Sequence, residues 1–258
     1  MIKQPYELAL MADAGALLAQ VFARLDKLPM QGKSTLEIND FVERMIVDEL
    51  QARPASKGQY GFEFVLNASI DDVVCHGVPS ANDVLRSGQI VNLDITLEKN
   101  GFIADSSTTY LIGEVPYAAR RLVKATYQAM WKGIAAVRPG ARVGDIGHAI
   151  ARHAREQGYS VVREYCGHGI GREMHEEPQI LHDSHANTGP ELQEGMVFTI
   201  EPMLNQGKPA VRAEADVWPV HTRDGLLSAQ FEHTVAVTRT GVQVLTLRPN
   251  EVPRCVLG

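Results

Sequence analysis

The chain has 258 residues, enough to bury a large core as one domain or as two fused halves. Its 31 acidic and 25 basic side chains leave a net charge of -6 with no Lys/Arg block, so composition gives no electrostatic case for nucleic acid. Residues 1–11 carry charges and a proline where a signal peptide has its apolar core, and no run of about 18 apolar residues occurs. Cys75, Cys166 and Cys255 are odd in number and form no CxxC pair, which suits a reducing compartment. Together these features predict a soluble cytoplasmic protein without a membrane span.

Apolar positions at helical spacing predict a helix over about 5–26, ending before Leu28-Pro29. A second helix is expected from Ser34 to about Leu50, because Ser34 and Glu37 form a capping-box pattern. Residues 52–61 read as a loop, and strands follow at 62–68, 72–77, 89–97 and 102–112. Asn100-Gly101 between the last two is a strong hairpin signal. The order then recurs, with helices over about 117–137 and 143–157 and strands at 160–165, 195–204, 210–220 and 228–238. No linker or low-complexity tract separates the halves, so we expect an α+β fold. It would be one domain over 1–258, with pseudo-repeat halves of about 1–113 and 114–258. Outer helices would cover a mostly antiparallel sheet.

One acidic pattern occurs in both halves. Residues 85–94 read LRSGQIVNLD and residues 192–201 read LQEGMVFTIE, each an apolar run ending in a carboxylate, Asp94 or Glu201. Each is followed by a second acid with hydroxyl-bearing neighbours, Asp105 in ADSSTTY and Glu232 in FEHTV. Carboxylates at the ends of buried strands are costly unless paired or bound to metal. A two-residue turn at Asn100-Gly101 sets Asp94 opposite Ser107 and Asp105 opposite Thr96. The two aspartates then share a face roughly 7–8 Å apart, close enough to lean onto ions about 3.5–4 Å apart. A slip of one residue would separate them to opposite faces.

The nine histidines divide by context. His168 in YCGHGIG has flanking glycines that allow close backbone approach and leave the imidazole open. His76 ends an apolar strand before Gly-Val-Pro, and His175 lies in REMHEEP. His148 and His153 fall on an amphipathic helix and are expected at its surface. His182 and His185 fall in a polar loop, and His221 and His233 near strand ends. Two Asp, two Glu and one His make a hard, oxygen-rich donor set, suited to Mn, Fe(II), Co or Zn. Neither Cys75 nor Cys166 has a partner in sequence that would make it a nucleophile.

Taken together, CHG at 75–77, YCGHGIG at 165–171, HEEP at 175–178 and TIEP at 199–202, with the five candidate ligands in order, resemble the type I methionine aminopeptidases from about residue 5 to 248. The resemblance implies the pita-bread fold, two pseudo-symmetric halves around a central antiparallel sheet with a dinuclear metal centre. It implies that Asp105 and Glu232 bridge two divalent ions, that Asp94 completes one, and that His168 and Glu201 complete the other. Glu201 would shuttle a proton, and His76 and His175 would contact the substrate amide and stabilise developing charge. The implied reaction is removal of N-terminal methionine, before a small second residue, by a metal-bridging hydroxide. Substrates would be the N-termini of peptides and nascent chains, handled by a monomer in transient association with the ribosome.

Three positions depart from the commonest bacterial pattern. Asn67 stands where a cysteine is usual, Met174 where a phenylalanine precedes the HEEP histidine, and Phe62 where relatives have tyrosine. Trp218 falls where an aromatic pocket residue is expected. These residues, with His76 and His175, are the expected substrate contacts, and the departures open the alternative of a divergent copy with altered first-residue specificity. An Xaa-Pro peptidase shares the fold and ligands. It would carry an extra N-terminal domain, for which the roughly 60 residues before the first strand leave no room. The zinc-finger or proline-rich docking extension of eukaryotic methionine aminopeptidases is not expected here either. A non-catalytic binding module would have lost ligands, whereas all five are present.

Overall fold

The computed structural model describes residues 2–215 and 217–251; Cys255 lies outside them. Among the described residues, four α-helices form where apolar spacing placed them. They are α1 Pro5–Leu25, α2 Thr35–Arg44, α3 Tyr117–Ala135 and α4 Val143–Gln157. The second expected helix reaches its predicted length only by changing type, since Met45–Glu49 continues it as a π-helix. Ser34 caps α2 as its pattern predicts, accepting from the Glu37 N–H while the Glu37 carboxylate accepts from the Ser34 N–H. Asp145 returns to the Arg142 N–H at the same position of α4.

The main sheet has nine strands: β1 Arg53–Pro54, β2 Leu66–Ile70, β3 Ile90–Lys99, β4 Phe102–Leu111, β5 Gly167–Gly169, β6 Glu176–Ile180, β7 Val197–Ile200, β8 Glu232–Val237 and β9 Val242–Val244. Its order is β1-β3-β4-β8-β7-β5-β6, with β2 also on β3 and β9 also on β8. Among the described residues its strands pair antiparallel. Two three-stranded sheets flank it, one joining Met203–Asn205 to Ser228–Gln230 and Ser160–Val161, the other joining Val220–Thr222 to Val211–Arg212 and Val73–Cys75.

The β3–β4 hairpin has the expected register, with Asp94 opposite Ser107 and Thr96 opposite Asp105. Asn100 and Gly101 both take positive φ, 55° and 80°, as a two-residue hairpin turn of this hand requires. Elsewhere the strands are shorter than the apolar runs suggest. The run at 62–68 becomes a strand only from Leu66. The run at 195–204 breaks at Glu201-Pro202, because proline cannot donate to a ladder, and its two parts join different sheets. The run at 228–238 divides at Phe231, and its two parts also join different sheets.

Two apolar cores flank the central strands. One gathers Leu18, Phe22, Ile38, Val42, Leu93 and Ile95 from α1, α2 and β3. The other gathers Leu122, Met130, Ile146, Ile150, Phe198 and Val235 from α3, α4, β7 and β8. Helix α1 is long and apolar enough on average to cross a membrane. Here it lies along β3 and β4, burying Met11, Ala14, Leu18, Val21, Phe22 and Leu25. His153, expected at the surface of α4, is buried at 8 % exposure, on the helix that packs against α3.

Candidate metal centre

Ligand atoms of Asp105 on β4, His168 on β5 and Glu232 on β8 lie within 4.8 Å of one another. Glu201, just past β7, joins them with Oε1 3.5 Å from His168 Nε2. His168 Nε2 is also 3.8 Å from Asp105 Oδ2. Asp94 hydrogen-bonds to Asp105 from the adjacent strand. All five residues line one cavity of about 550 Å³, together with His76, His175, Phe62, Asn67, Met174 and Trp218.

Local sequence explains how the backbones come this close. A Cβ at Gly167 would stand 2.4 Å from the Thr199 carbonyl oxygen, and one at Gly169 would stand 2.1 Å from that of Glu177. The glycines flanking His168 therefore let β5 lie against β7 and β6 while the imidazole enters the cavity. Gly77 follows the same logic, since a Cβ there would meet the Ala68 carbonyl oxygen at 2.0 Å. Its neighbour His76 adopts a φ of 58°, a left-handed conformation uncommon for a side-chain-bearing residue.

The carboxylates are crowded and dehydrated. Burial raises Glu201 to about 8 and Asp94 to about 6. Burial, then the charges of the neighbouring acids, raises Asp105 and Glu232 well above the carboxylate range. Burial lowers His168 to about 4, so the imidazole is neutral and can ligate. Asp105 Oδ1 and Glu232 Oε1 are buried without a hydrogen-bond partner. Buried acids with unpartnered oxygens, converging on one neutral imidazole, fit a hard divalent cation.

The two further histidines stand at this centre. The His175 ring meets the His168 ring edge-on, with centroids 4.4 Å apart. His76 contacts Tyr165 and Trp218 edge-on at 5.4 and 6.2 Å. Burial lowers the pKa of both His76 and His175, holding them neutral. Phe62 packs edge-on against Trp218 at 5.2 Å, and Met174 is 9 % exposed at the cavity wall. Asn67 sits on β2 directly opposite Asp94, and its side chain hydrogen-bonds to that carboxylate.

Several participants were missed in the sequence. Thr199 Oγ1 donates to Glu201 Oε1 at 2.7 Å and accepts from the His168 N–H at 3.0 Å, tying two ligands together. Gln230 Nε2 donates to the other Glu201 oxygen at 3.3 Å. The only available signal was spacing, since Thr199 precedes Glu201 by two residues on a strand and so shares its face. His182, expected in a polar loop, is 2 % exposed and accepts the Glu201 N–H through Nε2 at 3.2 Å. It follows β6 and meets the backbone of the residue just past β7.

The profile of Metallopeptidase family M24 matches residues 9–239. The methionine aminopeptidase B of Synechocystis is 46 % identical over 245 residues, covering 93 % of this chain and 89 % of that protein. The methionine aminopeptidase of Escherichia coli K12 is 42 % identical over 257 residues, covering 100 % of this chain and 97 % of that one. Among solved structures, the methionine aminopeptidase of Rickettsia prowazekii matches with a TM-score of 0.93 at 42 % identity, covering 96 % of this chain and 99 % of that one.

Proposed function

This chain belongs to metallopeptidase family M24 and has its pita-bread fold, and from that membership we propose that it is a methionine aminopeptidase, removing the N-terminal methionine of peptides and nascent chains. The observation that carries the reading is the convergence of Asp94, Asp105, His168, Glu201 and Glu232 on one cavity, with two buried carboxylate oxygens left unpartnered. It is joined by the similarity to methionine aminopeptidases over nearly the whole chain.

Four carboxylates gathered around one neutral imidazole are balanced in charge by two divalent cations, which supports a dinuclear centre. Asp105 and Glu232 would be shared between the ions, with Asp94 on one side and His168 and Glu201 on the other. Co, Mn, Fe(II) and Zn all suit such donors. Bound there, the cations would act as Lewis acids that activate a water and polarise the scissile carbonyl.

The remaining chemistry belongs to the chain. Glu201 accepts the proton of the attacking water and delivers it to the leaving amine, held in place by Thr199 and Gln230. His175 and His76, neutral and at the cavity wall, donate hydrogen bonds to the amide and to the developing oxyanion. Phe62, Met174 and Trp218 give the methionine side chain an apolar wall, and Asn67 adds one polar group. Met174 is a soft, adaptable substitute for an aromatic ring. A small second residue, action in the cytoplasm by a monomer and transient contact with the ribosome belong to the same proposal. Release of free methionine from Met-Ala-Ser by metal-stripped protein, restored on adding a divalent cation, tests it.

A further inference from the structure

The far face of the central sheet carries a buried polar network that the reaction does not use. Asp105 and Glu232 point into the cavity, so their strand neighbours Ser106 and His233 project from the opposite face. Both are fully buried, as is Arg248 at 6 % exposure, which arrives on the segment following β9. Arg248 Nη2 donates to Ser106 Oγ at 2.9 Å and to the Ser107 carbonyl at 2.9 Å. Ser106 Oγ in turn donates to the Glu232 carbonyl at 2.7 Å. On its other side Arg248 Nη1 pairs with Glu251 Oε1 at 3.2 Å, while Glu251 Oε2 is 3.1 Å from His233 Nε2. The guanidinium also lies over the Phe22 ring of α1, 4.4 Å from its centroid.

The location matters because the β4–β8 ladder is short. Paired residues are Glu232 with Ser107 and His233 with Ser106, after which Thr234 Oγ1 bonds the Asp105 backbone. These few contacts set the spacing of two ligands that no other paired register joins directly. Both bonds leave Arg248 Nη2 and land on β4, at Ser106 and Ser107, and β8 is reached through the bond that Ser106 Oγ makes to the Glu232 carbonyl.

We propose that Arg248 is a positioning residue for the metal centre, fixing through Ser106 the relative placement of the strands that carry Asp105 and Glu232. The inference rests on the metal-binding reading above and adds to it a residue on the opposite face of the sheet. Groups that orient ligands without touching the ion typically change metal affinity by about 10–100-fold.

The test is a Co²⁺ titration of metal-free wild-type protein, Arg248→Met, Ser106→Ala and the double variant, with near-ultraviolet circular dichroism to establish folding. Arg248→Met should raise the Co²⁺ Kd about 10–100-fold. Ser106→Ala should raise it about threefold to tenfold, the weight of one net hydrogen bond. The double variant should be no worse than Arg248→Met alone, because both changes cut one chain of contacts. A folded Arg248→Met protein with the wild-type Kd overturns the inference. Should Arg248→Met not fold, Ser106→Ala decides: a raised Kd supports positioning and an unchanged one overturns it. Wild-type protein that binds no Co²⁺ would instead overturn the metal-binding reading and this inference with it.

Discussion

Asp94 and Asp105 reach the same cavity from neighbouring strands two positions out of register, Asp94 standing opposite Ser107 and Asp105 opposite Thr96. The offset puts two acids on one face as diagonal neighbours, close enough to hydrogen-bond to each other. Such a pair is unfavourable while both are ionised and favourable once a cation lies between them. Asp105→Ala and Glu232→Ala should therefore abolish peptide hydrolysis together with metal binding, read as metal content after dialysis and as released methionine.

The same crowding predicts how metal-free protein responds to pH. Glu201, raised to about 8, holds a proton in the folded state between pH 7 and 8 that the unfolded chain has already released. The folded state therefore binds more protons in this window, and stability falls as pH rises through it, with Asp105 and Glu232, also raised, acting in the same direction. Unfolded histidines are mostly deprotonated there, so buried neutral His168 and His182 contribute little. The Tm of metal-free protein should drop from pH 7 to 8.5, and saturating Mn²⁺ should remove the drop by taking the place of protons. A metal-free Tm that rises over that interval would contradict the crowding argument.

His175→Ala should separate chemistry from binding of the ions. The ring touches His168 but is not among the proposed ligands. Turnover of Met-Ala-Ser should fall by roughly 10²–10³, the cost of losing one oxyanion donor, while metal content stays at the wild-type value. Wild-type turnover would remove His175 from the mechanism.

Asn67 tests whether an unusual pocket residue acts on the metal side of the cavity. Its side chain lowers the pKa of Asp94, opposing burial, which raises it. Asn67→Leu removes that hydrogen bond while keeping the bulk, so metal affinity should weaken about tenfold, corresponding to about 1.5 kcal/mol for a bond to a charged group. Isothermal titration at fixed pH reads this directly, and an unchanged Kd would assign Asn67 to substrate contact alone.

Local signals carried much of this molecule. The Ser34–Glu37 cap, the Asn100-Gly101 turn and the apolar periodicity of four helices are properties of adjacent residues, and they appear where the sequence places them. The candidate ligands could be picked out because a carboxylate ending an apolar run is locally anomalous. What escaped depends on contacts between distant segments. The 195–204 run divides at Pro202 because its second part finds Ser228–Gln230 and Ser160–Val161. His182 and His153 look like surface residues until β7 and α3 cover them. Nothing local to Arg248 marks it, and only the path of the segment after β9 brings it to Ser106. Gln230 gains its role from a segment distant in sequence, donating to the second Glu201 oxygen.

Whether these five ligands and this pocket release N-terminal methionine is read from hydrolysis of Met-Ala-Ser, Met-Lys-Ser and Ala-Pro-Ala by metal-stripped protein refilled with Co²⁺, Mn²⁺, Fe²⁺ or Zn²⁺. Methionine should be released from Met-Ala-Ser only with a cation present, with little release from Met-Lys-Ser and no cleavage of Ala-Pro-Ala. Cleavage of Ala-Pro-Ala in preference to Met-Ala-Ser, or no cleavage of any of the three by protein holding two ions, would contradict it.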